Sequence, residues 1–177
     1  DLKLLIVGGS KKDKFLKYIL SIGGRFVDHY ASMPHNKMPE LLAATDIVVI
    51  PQRKTLFAMA QIPAKVFEAM AMEKPIISTN VSDLAEILKG CGVLIQPSTD
   101  TTQLEEKIEL LINNEKTSKS LGQKARKRCE EKYSWDVMEK KINSIFDEAE
   151  KLCRENDEFN KYLMTFQNLL STIPNWN

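Results

Sequence analysis

Cysteine, histidine and net charge are all scarce in this chain of 177 residues. Its three cysteines, Cys91, Cys129 and Cys153, are widely spaced and form no CxxC pair. That excludes a disulfide framework and a thiolate zinc site, and predicts reduced, mostly buried thiols of a cytosolic protein. The two histidines, His29 and His35, have no cysteine or paired carboxylate at ligand spacing, so no metal site is expected. The formal charge of +1 speaks against bulk electrostatic capture of nucleic acid. No apolar run approaches the roughly 20 residues of a membrane span. The phosphate-binding pattern GxxxxGK[ST] is missing, and no Ser-His-Asp or Cys-His arrangement can be assembled. The opening DLKLLIVGG reads as a strand from its second residue, without a signal-peptide pattern. With no initiator Met and no lead-in to that strand, the chain is expected to be a piece of a longer polypeptide.

What is present alternates between two periodicities. LKLLIV (2–7), residues 25–30, DIVVI (46–50), PIIST (75–79) and GVLIQP (92–97) predict five strands. The first and third are uniformly apolar, the pattern of strands buried on both faces. Between them, helical spacing is predicted over Lys11–Leu20, MPELLAA (38–44), Pro63–Met72 and SDLAEIL (82–88), the last capped by Ser82 or Asp83. Residues 51–62 read as a loop. After residue 97 the strands stop, and Thr101–Asn113, Glu115–Lys132 and Ser134 onward read as charged amphipathic helices.

Strands separated by helices imply βαβ crossovers. The expected class is α/β, a doubly wound parallel sheet of the Rossmann-like kind, with a C-terminal helical tail. The expected domains are 1–133 and 134–177. Ligands of such sheets sit beyond the carboxyl ends of the strands, which singles out residues 8–11, 31–37, 51–62 and 79–83 together with the start of the 63–72 helix.

Gly8-Gly9 could let backbone N–H groups approach a phosphate, although most such pairs are simply tight turns. Pro63 can occupy a first helical turn, which places Lys65 beside free N–H groups at the positive end of the helix dipole. A cation there is unfavourable unless an anion such as a diphosphate joins it. Glu68 lies three residues on, nearly on the same face, where its carboxylate can accept from the vicinal hydroxyls of a ribose. An ordinary i,i+3 salt bridge on a helix surface fits the same spacing equally well. Val66, Phe67, Ala69, Met70 and Met72 read as core contacts.

LLIVGGS, MPELLAATDIVVIPQ, IPAKVFEAMAMEKPIISTNVSDLAEIL, GVLIQPSTD and LGQKARKRCEEKYSWD occur in an order that resembles the C-terminal half of GT-B fold, GT4-type glycosyltransferases. The resemblance covers residues 2–136. It implies the donor-binding half of a retaining, metal-independent enzyme that transfers a hexose-type sugar, without a cofactor, from a UDP-, GDP- or similar nucleotide-sugar. Lys65 and Glu68 would be its catalytic residues. Gly8, Gly9, Pro63, Ala64, Lys65 and Val66 would meet the donor diphosphate, Glu68 the ribose, and Met33 and Pro34 the base. The N-terminal acceptor-binding domain, the first strand of this domain and a basic pair of the donor clamp would precede Asp1, so the fragment alone is expected to be inactive. The resemblance further implies a cytoplasmic enzyme, with peripheral membrane association of the full-length protein, and no nucleic acid partner. Ala60 departs from the family, whose E-x7-E pattern puts its first glutamate there; Gln61 is the neighbouring candidate substitute. A nucleotide-binding or regulatory domain and a degenerate interaction domain are the competing readings. Tails of this family pack back on the other domain, which would leave apolar surface on MTFQNLLSTIPNW (164–176) in the fragment.

Overall fold

The computed structural model describes residues 2–10, 12–155, 161, 162, 164, 165 and 168. Most of the segment MTFQNLLSTIPNW lies outside them. The chain divides into two compact units, Asp1–Lys127 and Arg128–Asn177, at a boundary ahead of the expected one after residue 133.

The first unit carries all five expected strands, and every pairing is parallel. They are β1 (Leu4–Val7), β2 (Val27–Tyr30), β3 (Val48–Ile50), β4 (Ile76–Thr79) and β5 (Val93–Ile95). Helices fall between them: α1 (Lys14–Gly23), α2 (Met38–Ala43), α3 (Leu56–Met59), α4 (Lys65–Ala71) and α5 (Leu84–Ile87). After β5 come α6 (Thr102–Asn113), α7 (Glu115–Tyr133) and α8 (Trp135–Glu155).

The strands do not form one sheet. Among the described residues β1 pairs with β2 alone, and β3, β4 and β5 form a second sheet in that order. Consequently β1, although as apolar as β3, is not buried on both faces: Leu4 is 50% exposed, and Leu5, Ile6 and Val7 are only partly covered. β4 is the strand that the expected pattern fits. It has a neighbour on each side, and all four of its residues are buried. Ile77 meets Ile95 and Leu111 in a cluster extended by Ile47, Leu104, Ile108 and Leu121, so α6 covers one face of the second sheet. α4 packs against β4 as well. Its Val66, Ala69 and Met70, spaced i, i+3, i+4, are fully buried.

Several ends differ from expectation. α1 starts at Lys14, because the Asp13 side chain accepts from Phe15 N–H at 2.8 Å and Leu16 N–H at 3.4 Å. Asp83 is the N-cap of α5, as one of the two expected positions, but its side chain makes no capping bond, and Ser82 ahead of it has φ +55°. Residues 51–62 are not wholly loop, since Thr55 accepts from Ala58 N–H and starts α3. In the second unit no residue of α8 is buried, and its Trp135, Ile145, Phe146 and Leu152 are exposed.

Candidate functional site

The helix of interest begins later than its proline suggests. Pro63 precedes α4 and Ala64 is the N-cap, without a side-chain hydrogen bond. Val66 N–H donates to Pro63 O at 3.1 Å, and Phe67 and Glu68 N–H donate to Ala64 O at 3.0 and 3.3 Å. The tight turn thus uses N–H groups that a longer helix would leave open. The Val66 N–H is one of them, and its side chain is in the core. Among the described residues, the N–H groups of Ala64 and Lys65 make no hydrogen bond. They are the ones available at this turn.

The far end of α4 is closed by a Schellman motif. Lys74 N–H donates to Ala69 O and Glu73 N–H to Met70 O, both at 3.0 Å. Glu73 holds the left-handed position, φ +57°, that glycine usually fills. α7 seats on this cap. Arg126 donates to Ala71 O, and a Cβ on Gly122 would lie 2.1 Å from Glu73 O. Pro75 then enters β4.

Lys65 is exposed and Glu68 is 29% exposed. The i,i+3 salt bridge that their spacing allows is not formed, and Lys65 makes no ion pair among the described residues. Glu68 Oε1 instead meets His35 Nε2 at 3.2 Å. A carboxylate only accepts, so the Nε2–H donates. His35 opens a single 3-10 turn, His35–Lys37, directly after Met33 and Pro34, and Lys37 N–H returns to Pro34 O at 2.9 Å. Through His35 the expected base-side residues and the expected ribose-side residue are brought to one place. Sequence reading weighed His35 only as a metal ligand; its position next to Pro34 was the available signal.

Gly8 and Gly9 both have positive φ, +96° and +79°, which explains the glycine pair. Gly8 N–H donates to Tyr30 O at 3.0 Å, and His29 Nε2–H donates to Gly8 O at 2.8 Å, locking this turn to the end of β2. No hydrogen bond or ion pair joins it to Lys65 or Glu68 among the described residues. At the ends of β3 and β4, Gln52 N–H donates to Thr79 Oγ1 and the Thr79 hydroxyl donates to Gln52 O, both at 2.9 Å. This lock, with a buried and unpartnered Gln52 Oε1, was not foreseen. Ala60 caps α3 and is exposed.

The model of the glycosyl transferases group 1 family matches residues 1–128. The chain belongs to that family. It is 31% identical over 134 residues to an uncharacterized glycosyltransferase of Methanocaldococcus jannaschii, covering 75% of this chain and 34% of the relative. Sucrose-phosphate synthase of Thermosynechococcus elongatus has the same fold, with TM-score 0.74 at 18% identity over 85% of this chain and 39% of that one. Anabaena HepE, solved in complex with UDP and with UDP-glucose, superimposes with TM-scores of 0.67 and 0.65 at 16% identity. Those alignments cover 83% and 82% of this chain and 41% of HepE. The group 1 chain therefore has the Rossmann-like architecture of GT-B enzymes. It spans between 23% and 39% of the length of the curated relatives it matches.

Proposed function

We propose that this chain is the donor-binding part of a retaining, metal-independent GT4-type glycosyltransferase, and that it holds a UDP-, GDP- or similar nucleotide-sugar carrying a hexose. The observation that carries the reading is Glu68. In a chain of this family it sits on the first turn of α4, where it is not paired with Lys65 and instead meets His35, on the turn that follows Met33 and Pro34. A carboxylate so placed can accept from both ribose hydroxyls while the base lies against Met33 and Pro34. The exposed Lys65 ammonium, with the N–H groups of Ala64 and Lys65, meets the diphosphate, and the Gly8-Gly9 turn faces the donor. The complexes of HepE with UDP and UDP-glucose support a donor of this chemistry.

In transfer, the bond between the sugar's anomeric carbon and the diphosphate oxygen breaks as the acceptor hydroxyl's oxygen bonds to that carbon and its proton passes to the departing diphosphate. Charge accumulates on the departing diphosphate, where a fixed ammonium does most for the rate. The acceptor would come from a separate N-terminal domain. The full-length enzyme would work in the cytoplasm, at times against the inner face of the membrane. A second reading, nucleotide binding without transfer, is favoured by Ala60, which cannot hold a sugar hydroxyl as the family's glutamate would.

Titration calorimetry with UDP and GDP tests the assignment. The wild-type chain should bind one of them, and Glu68→Ala and Lys65→Ala should each weaken that binding about tenfold or more, as expected for loss of a hydrogen bond to a charged group. Equal heats from all three proteins would overturn it.

A further inference from the structure

Lys65 and Glu68 are a poor pair to leave alone. Opposite charges three residues apart on one helix face attract each other, and a pair closed on itself offers a ligand neither a free ammonium nor a free carboxylate. Yet no salt bridge joins them, and Glu68 has another partner. His35, distant by 33 residues in sequence, donates to Glu68 Oε1 at 3.2 Å, while Lys65 takes no partner among the described residues.

The His35 ring is not there for packing. Its side chain is 89% exposed against 29% for Glu68, so removing it opens no cavity. An exposed pair of this kind adds little to stability. Its backbone, in contrast, is held: Pro34 precedes it with φ −57°, and Lys37 N–H closes the turn on Pro34 O. A nearly costless contact carried on a fixed turn is suited to aiming a carboxylate, not to holding up a fold.

We propose that His35 is a positioning residue of the donor site: by engaging Glu68 it prevents the Lys65–Glu68 salt bridge and keeps both groups available, one for a ribose and one for a diphosphate. This rests on the donor-site reading above. His35 makes no hydrogen bond or ion pair with Lys65 among the described residues, yet its loss should weaken diphosphate binding, because the released carboxylate then closes on Lys65.

The test titrates UDP and, separately, inorganic diphosphate into the 177-residue chain and its variants. His35→Ala should weaken both ligands about threefold to tenfold, the scale of ordering one long side chain. His35→Gln, which keeps an N–H donor, should recover much of the loss. In a Glu68→Ala background, His35→Ala should change nothing further, because no carboxylate remains to be held. Unchanged binding by His35→Ala, with Lys65→Ala and Glu68→Ala still impaired, overturns the positioning role alone. An equal loss in the Glu68→Ala background also overturns it, since His35 would then act as a direct contact. If Lys65→Ala and Glu68→Ala bind like wild type, the donor-site reading fails and this inference falls with it.

Discussion

Gly122→Ala tests how α4 is held from its far end. The ideal Cβ at position 122 lies 2.1 Å from Glu73 O and 2.9 Å from Glu73 C. An ordinary contact needs roughly 3.5 Å, so α7 and the cap of α4 must separate by about an ångström. The obstructing atom is a backbone carbonyl inside the Schellman motif and cannot rotate aside as a side chain could. Overpacking of this kind costs about 1–3 kcal/mol, here toward the upper end. Alanine returns about 0.8–1.0 kcal/mol in helix propensity. The net expectation is a loss of about 1–2 kcal/mol, or a Tm lower by about 2–8 °C for a protein of this size. Urea unfolding followed by circular dichroism would show a lower midpoint with an unchanged slope. A variant as stable as the wild type, or more stable, would refute the seating of α7 on residue 73, since propensity alone favours alanine.

Three further outcomes are expected. Glu73→Gly should stabilise by about 0.5–1 kcal/mol, because glycine takes the left-handed conformation without the Cβ penalty; a lower urea midpoint would contradict this. Asp13→Ala removes the acceptor for Phe15 and Leu16 N–H and should cost about 1 kcal/mol, with an unchanged midpoint as the opposing result. The Asp100 carboxyl is held below its ordinary range, first by the Thr102 hydroxyl and then by the Thr102 N–H. Its contribution to stability is therefore complete above the ordinary carboxylate range and is lost as pH falls through the lowered value. Thr102→Val should raise the Asp100 titration in an NMR experiment, and an unshifted titration would count against the hydroxyl as its cause.

Local pattern carried far in this chain. Apolar runs bounded by Gly8-Gly9, Pro51, Pro75 and Gly92 marked the strands to within two residues at either end, because a strand's side chains and its stop signals are neighbours in sequence. The 3.6-residue period likewise marked α1, α4, α6 and α7. The short helix α3 escaped: it rests on one hydroxyl cap at Thr55, too little signal to separate it from loop. The division into two sheets also escaped, because β1 and β3 read alike, and strand pairing depends on which edges meet in space.

The same division runs through the site. Sequence alone placed Lys65 and Glu68 on one face of a helix, since a spacing of three settles that locally. It could not choose between a salt bridge and two separate ligand contacts, because both satisfy the same spacing. Tertiary structure shows the salt bridge unformed, with His35 delivered to Glu68 on a turn fixed by Pro34 and Lys37, and the Val66, Phe67 and Glu68 N–H groups used within the tight entry to α4. Which face a charge occupies is a property of the helix. Which partner it finds there belongs to the chain that folds across it.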